Sequence, residues 1–290
     1  MNRLLLLLIV LLSATVVRGQ YVTNVSLNKN QFLTGEPVVA IVTIINRSGA
    51  DVIVGGHGAR DWLHFEITES TGRALSPVSI GAEEPLTLKA GGTTKHTVEI
   101  SGGYSTADLG VFHIVANVLH PVSGQFYASN RERMTITDAK PNLFDRPYGV
   151  PEGFRNAGRA RRYQIILFRE LNTLQLYCRI TDDATGAYLS TFLLGPVNMV
   201  NQPQIAMDAT NRLHVFFLAQ PHIYCHAIVN PDGKLHRRNY FRDDDGNRPT
   251  LVMGGASGAQ VFGGVPFDPG ARPDTTEKPL RKASERPPGL

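Results

Sequence analysis

Apolar and polar positions along residues 20–138 recur at the spacing of short β-strands. The clearest segment is 38–45, whose β-branched run is apolar on both faces, as in the central strand of a sandwich. Residues 62–68 alternate apolar and polar side chains and end at the turn signal Ser70-Thr71-Gly72. Further candidate strands are 85–89, 95–100, 111–118 and 133–137. About seven strands over roughly 115 residues predict an immunoglobulin-like β-sandwich over 20–138.

Part of this segment resembles a known class of domain. Residues 86–92, 97–100 and 109–116 are similar to the late strands of bacterial extracellular immunoglobulin-like domains. In those domains a leucine, basic, small, glycine turn precedes one strand, and a glycine, apolar, aromatic run begins the next. The resemblance implies the sandwich fold and no catalytic residues. Because such domains serve as spacers, adhesion modules, inhibitors or enzyme accessories, the fold does not select among these functions.

Residues 139–162 differ in composition from the segment before them. This segment contains six basic residues but only two acidic ones, Asp145 and Glu152. It also contains three prolines and three glycines. We interpret the segment as a basic interdomain linker. The alternative interpretation of the same charges is a docking strip for an acidic polymer.

An internal repeat is the main pattern of residues 163–267. The segment 203–207 recurs as 249–253, and Val215-Phe216 recurs as Val261-Phe262, both 46 residues later. A period in the mid-forties built from β-hairpins is typical of propeller blades.

The unit 203–216 resembles blades of sialidase-like (BNR-type) secreted propellers, in which an aspartate and the turn after it set up the hairpin. Residues 163–267 hold about two and a half periods, whereas a closed propeller has four to eight blades. Two architectures stay open: an incomplete or oligomer-completed propeller, and a simple antiparallel meander of duplicated hairpins. The predicted fold class is all-β, with an N-terminal immunoglobulin-like sandwich and a C-terminal antiparallel region of duplicated, blade-like hairpins.

The two ends of the chain carry different signals. Residues 1–19 have the layout of a secretory signal peptide, with cleavage near Gly19/Gln20. They consist of a short positively charged start, the apolar run 4–12 and small residues up to Gly19. That run is shorter than the ~20 residues a transmembrane helix needs. We therefore predict a secreted or periplasmic protein with no transmembrane segment after signal removal. Residues 268–290, rich in proline and charge, are predicted to form a disordered tail.

Composition and charge narrow the choice of partners. The 290 residues are 42% hydrophobic and 19% charged, which is typical of a globular protein. Removing residues 1–19 lowers the basic count from 29 to 27 against 25 acidic residues, so the net charge falls to +2. A charge so close to zero gives no electrostatic reason to bind nucleic acid.

Cys178 and Cys225 are the only cysteines. An oxidising compartment permits them to form a disulfide. Each is equally well explained as a small buried apolar residue in a strand. The sequence leaves both interpretations open.

The segment His222-Ile223-Tyr224-Cys225-His226 is the best local cluster of candidate site residues. In a strand, His222, Tyr224 and His226 would share one face. Two histidines with a carboxylate such as Asp243 make a candidate zinc site, although a solvated polar face explains the same residues. With Arg237 and Arg238, these residues form the candidate ligand-binding set.

No nucleophile motif accompanies these candidates, because the glycines of 254–258 do not form a Gly-x-Ser-x-Gly elbow. We predict no cofactor and no catalytic residue. The predicted function is an exported, non-catalytic binding or accessory protein for an extracellular polysaccharide or protein. The alternatives are a glycan hydrolase with a reduced sialidase-like propeller and a structural spacer.

Overall fold

Every regular element in the described part of the chain is a β-strand, which confirms the all-β prediction. The computed structural model describes residues 20–56, 61–75, 85–101, 108–244, 246–254 and 258–270. The predicted signal peptide and most of the predicted tail, residues 271–290, lie outside these ranges. The chain divides into two compact units, Met1–Gly195 and Pro196–Leu290. In the described ranges there is no helix with the length and apolar character to cross a bilayer.

The first unit begins with ten strands. In chain order they are β1 Tyr21–Leu27, β2 Gln31–Leu33, β3 Val39–Asn46, β4 Val52–Val54, β5 Leu63–Glu69, β6 Leu86–Leu88, β7 Thr93–Glu99, β8 Gly110–His120, β9 Gln125–Ala128 and β10 Glu132–Thr137.

Eight of these strands form two sheets in the order of an immunoglobulin-like sandwich. One sheet is β1-β3-β7, and the other is β2-β10-β8-β5 with β9 beside β8. The short strand β2 pairs parallel to β10, and β4 pairs separately with β6. Phe32, Phe65 and Phe112 are among the largest side chains of the core that both sheets share. The single tryptophan, Trp62, is buried in the same core.

Residues 144–149 and 160–162 of the segment 139–162 lie in strands of one sheet, so the segment does not form an interdomain linker. Strand β11, Phe144–Gly149, pairs antiparallel with β12, Ala160–Glu170. Strands β13, Thr173–Asp182, and β14, Tyr188–Pro196, complete the order β11-β12-β13-β14. Proline is tolerated on an edge strand such as β11, because one side of that strand needs no ladder hydrogen bonds.

The basic residues of this segment are partly neutralised by neighbouring acids. Arg162 lies 3.1 Å from Asp145 and 2.9 Å from Asp183, and Arg161 is buried. The charges that predicted a linker therefore belong in part to ion pairs within a folded sheet.

A cluster of ionisable side chains around Lys29 joins this sheet to the sandwich. Lys29 Nζ lies 2.7 Å from Glu36 Oε1, 2.8 Å from Glu170 Oε1 and 2.7 Å from the Tyr177 hydroxyl. The Tyr177 hydroxyl also donates a hydrogen bond to Glu170. Burial raises the pKa of Glu36 above its ordinary value, against the opposing effect of Lys29. These contacts link the β1–β2 turn to β12 and β13, so both parts fold as one unit.

The second unit contains one large sheet and one separate hairpin. Its strands are β15 Gln204–Met207, β16 Leu213–Gln220, β17 Ile223–Val229, β18 Leu235–Arg242, β19 Thr250–Gly254, β20 Gly258–Phe262 and β21 Val265–Phe267. The sheet has the order β15-β16-β17-β18-β21, and β19 pairs with β20.

The internal repeat of the sequence is a repeat of hairpins with one register. Ile205 faces Val215 in the β15–β16 hairpin, and 46 residues later Leu251 faces Val261 in the β19–β20 hairpin. In the described ranges the repeats give a four-stranded sheet, a five-stranded sheet and one further hairpin, with no closed propeller.

Candidate functional site

Asp208 organises the turn that joins β15 to β16. Its Oδ1 accepts hydrogen bonds from the Thr210 backbone N–H at 2.8 Å, the Thr210 hydroxyl at 2.8 Å and the Arg212 backbone N–H at 2.9 Å. Asn211 has a φ of +56° in this turn, a conformation that asparagine adopts more readily than most residues. One carboxylate oxygen therefore holds the turn, and the other is left for a second partner.

The second carboxylate oxygen begins a buried chain of side-chain hydrogen bonds. Asp208 Oδ2 lies 3.1 Å from His214 Nε2, and His214 Nδ1 lies 3.0 Å from His226 Nε2. All three residues are buried. Both contacts are satisfied when His226 donates to His214 and His214 donates to the carboxylate, with both rings neutral.

Burial and neighbouring charge set the ionisation of this chain. The pKa of His226 is lowered to about 4. Burial of the ring is the main cause, and the nearby His214 and Arg237 contribute less. Burial raises the pKa of Asp208, but hydrogen bonds led by the one from the Arg212 backbone outweigh burial and leave that pKa below its ordinary value. At neutral pH the chain thus joins an ionised aspartate to a neutral His226.

The predicted metal set of His222, His226 and Asp243 is not assembled. Strand β17 begins at Ile223, so His222 lies in the exposed turn before it with a φ of +62°. The His222 carbonyl accepts a hydrogen bond from the Asp243 backbone N–H at 2.8 Å, whereas the His226 side chain is bound to His214. In the ranges that the structure describes, no three His, Cys, Asp or Glu side chains form a group that could hold a metal ion.

The prediction for His222 was wrong because it required one continuous strand. Strand alternation puts residues i and i+4 on one face only while the chain stays extended. The turn after β16 interrupts the extended chain at His222. Tyr224 and His226 keep the common face that the sequence predicted.

Arg237 and Arg238 do not belong to one site. They are consecutive residues of β18, and consecutive side chains of a strand point to opposite faces. Arg237 lies on the face of His226, and its charge contributes to the lowered pKa of that histidine. Both arginines are exposed.

Cys178 and Cys225 are both free thiols in the structure. Cys178 lies in β13 of the first unit and Cys225 in β17 of the second. Burial raises the pKa of the Cys225 thiol to about 12 and that of the Cys178 thiol further still. A thiol that stays protonated is a poor nucleophile, so each cysteine is a buried, poorly reactive residue of its own strand.

A cavity of about 280 Å³ opens beside β16 and β17. On its apolar side the rings of Phe216 and Tyr224 stack in parallel, with centres 5.4 Å apart. The guanidinium carbon of Arg248 lies over the Tyr224 ring, 5.6 Å from its centre. The polar side of the cavity is formed by four residues, Asn201, Gln202, Gln204 and Thr250.

Arg248 is the single charged residue among the described residues that line this cavity. Stacking on an aromatic ring restricts a guanidinium group to one plane and leaves the N–H groups at its edge able to donate. Amide side chains both donate and accept hydrogen bonds. The cavity is therefore suited to a small ligand that is rich in hydroxyl groups and carries a negative charge.

Gln204 holds the two sides of the cavity together. Its Oε1 accepts a hydrogen bond from the Leu251 backbone N–H at 3.1 Å, which fixes the start of β19 against β15. This contact places Thr250 and Arg248 beside Tyr224. The sequence predicted Tyr224 as a site residue but not Arg248. The two residues meet through a contact between the two hairpin repeats, and the residue pattern within one repeat does not show that contact.

Comparisons with known proteins show little likeness. No family model and no curated protein matches the chain. Among solved structures, the crystal structure of Spo0M, a sporulation control protein from Bacillus subtilis, matches 61% of this chain and 91% of its own, with 11% identity and a TM-score of 0.29. A likeness at this level carries no argument about fold or function.

Proposed function

We propose that the protein is an exported, non-catalytic binding protein and that the cavity beside Arg248 is its ligand site. The observation that carries the proposal is one stacked guanidinium group, three amide side chains and a hydroxyl group converging on a single cavity. Ligand sites combine an apolar wall with a few placed polar groups in this way. The volume lies near the lower end of small-molecule pockets, which start at about 300 Å³. Such a volume suits a single sugar ring.

An acidic sugar residue of an extracellular polysaccharide is the ligand class that this chemistry favours. Sugar hydroxyl groups match the amide side chains, and a carboxylate matches the guanidinium group. A protein partner is less favoured as the occupant of the cavity, because protein interfaces bury about 800 Å² on each partner and need a broader surface.

Glycan hydrolysis has less support than binding. Most glycoside hydrolases place two carboxyl groups about 5–9.5 Å apart on either side of the bond they cleave. No aspartate or glutamate is among the described residues that line the cavity. The nearby Asp208 is buried and engaged by its own turn and by His214.

Export is tested by the mass of the mature chain. When the full sequence is expressed in a bacterium, we expect an extracytoplasmic protein that begins at Gln20, because the apolar run after Arg3 is read as a signal peptide. Intact-mass spectrometry of the secreted and periplasmic fractions measures this directly. Recovery of the protein only as the unprocessed chain in the cytosol would contradict export.

Binding is tested with one acidic and one neutral sugar. Wild type is expected to bind glucuronate more tightly than glucose, and Arg248→Met is expected to lose that preference. Removing a charge-assisted hydrogen bond costs about 2 kcal/mol, so the glucuronate Kd should rise about 30-fold. Calorimetry or ligand-observed NMR provides the measurement.

Arg237→Met is the matched control, because Arg237 is an exposed arginine outside the cavity lining. This variant is expected to bind both sugars as wild type does. Equal loss of glucuronate binding in the two variants would place the ligand elsewhere. Failure of wild type to bind either sugar would count against the acidic-sugar assignment.

A further inference from the structure

The amide of Gln204 is held in one orientation by a backbone group outside the cavity lining. The Leu251 backbone N–H can only donate, so the atom that faces it at 3.1 Å is the oxygen of the Gln204 amide. The rest of the amide is the Nε2 group, which has two N–H donors and no acceptor. Gln204 lines the cavity, whereas Leu251 is not among the described residues of its lining. The part of Gln204 that is left for a ligand is therefore a donor.

Strand pairing places this amide on the wall of the cavity. Gln204 lies directly opposite Phe216 in the β15–β16 hairpin, and opposite residues of paired strands have their side chains on the same face of the sheet. The Phe216 ring in turn stacks on the ring of Tyr224. Gln204 and the two rings therefore share the face of the sheet on which the cavity opens.

The backbone at Arg248 is fixed as well, by the turn that follows β20. The Gly264 N–H donates to the Asn247 carbonyl at 2.8 Å. Gly263 has a φ of +79°, and a Cβ added to it would lie 2.8 Å from the Arg248 carbonyl oxygen. Glycine satisfies both the conformation and the close approach. A guanidinium group donates and does not accept hydrogen bonds. Two polar groups of the cavity are thus held in place, and both are donors.

We propose that Gln204 is, together with Arg248, a specificity-determining residue of the cavity, and that this pair of donors selects uronic acids over amino sugars. The inference rests on the proposed function, because it requires the cavity to be the ligand site. A carboxylate accepts hydrogen bonds from both donors, whereas a protonated amino group has no acceptor to offer them. The charge of Arg248 also repels an ammonium group. The favoured ligand is therefore a polysaccharide that contains uronic acids and few free amino groups.

The relative affinities for three sugars test the proposal. The sugars are glucuronate, glucose and glucosamine, all at about pH 6, where the glucosamine amine is protonated. Wild type is expected to bind them in that order, with glucuronate the tightest. Gln204→Glu keeps an acceptor for Leu251 but replaces the donor with a second carboxylate oxygen. The ratio of glucuronate to glucosamine affinity should therefore fall at least about tenfold in calorimetry, the effect of losing one hydrogen bond to a charged group.

Gln220→Glu is the matched control, because Gln220 is an exposed glutamine of β16 outside the cavity lining. This variant is expected to keep the wild-type order and ratio. Gln204→Met removes both the donor and the contact with Leu251, so it is expected to weaken glucuronate binding most and to leave glucosamine binding almost unchanged. If Gln204 only supported the fold, both Gln204 variants would lose affinity for all three sugars equally, and that result would overturn the proposal.

Two further outcomes separate this inference from the proposed function. A wild type that prefers glucuronate through Arg248, together with an unchanged ratio in Gln204→Glu, would overturn the role of Gln204 alone. A wild type that binds none of the three sugars would overturn the ligand site, and the inference with it. Equal affinity of wild type for glucosamine and glucuronate would contradict selection by the two donors.

Discussion

Lys29→Met is expected to lower the free energy of unfolding of the first unit by about 3 kcal/mol, because it leaves a buried carboxylate without its partner. Glu36 is 7% exposed and would keep only its hydrogen bond from the Leu33 backbone N–H. The change also removes the contact between Lys29 and Glu170 that ties the sandwich to the sheet of β11–β14.

Urea unfolding followed by the fluorescence of Trp62 measures this loss, because the single tryptophan lies in the sandwich core. Lys89→Met is the matched control. Lys89 pairs with Asp51 at 2.7 Å, but its side chain is 73% exposed, and exposed pairs contribute at most about 1 kcal/mol. The double variant Lys29→Met/Glu36→Gln should regain part of the loss, because no unpaired buried charge remains. A loss in Lys29→Met no larger than that in Lys89→Met would show that the cluster is not a structural link.

The second unit is expected to lose about 3 kcal/mol of stability between pH 6.5 and pH 4 through His226. Its pKa falls from 6.5 to about 4 on folding, chiefly by burial, and each pKa unit corresponds to 1.36 kcal/mol. As the pH falls below 6.5 the unfolded histidine binds a proton while the folded one resists it. The stability that depends on a neutral His226 is therefore fully present above pH 6.5. It decreases as the pH falls to about 4 and changes no further below about pH 4.

Pulsed hydrogen exchange across a urea series, read on peptides covering β16 and β17, reports the stability of this unit. The control is His226→Gln, whose amide can still donate to His214 but does not titrate. The difference in stability between pH 7 and pH 4 should be smaller in this variant than in wild type. Equal pH dependence of the two proteins would show that His226 does not control acid sensitivity.

Much of the sandwich could be predicted because its strands alternate over one core. All six segments proposed from the hydrophobic pattern form strands, from β3 to β10. Strands β1, β2, β4 and β9 were missed, and two of these, β2 and β4, have only three residues each, which gives little alternation to detect. Strand β11 was missed for another reason: its charges and Pro147 are typical of a loop, and only its edge position makes them compatible with a sheet.

The candidate site was predictable only in part. The sequence places Tyr224 and His226 on one face, which the structure has, but it does not reveal that His222 lies in the two-residue turn 221–222. The pairing of His214 with His226 depends on the register of β16 and β17, in which Phe216 faces His226. Register between strands is a tertiary property, and local residue patterns constrain it weakly where both strands are apolar on both faces.

A crystal structure of the mature protein grown with a short oligogalacturonate tests the ligand site most directly. We expect one uronic acid ring in the cavity next to Tyr224, with its carboxylate within hydrogen-bond distance of the Arg248 guanidinium group and its hydroxyl groups on the amides that include Gln204. An oligosaccharide bound to another surface while this cavity holds only water would contradict the proposed function.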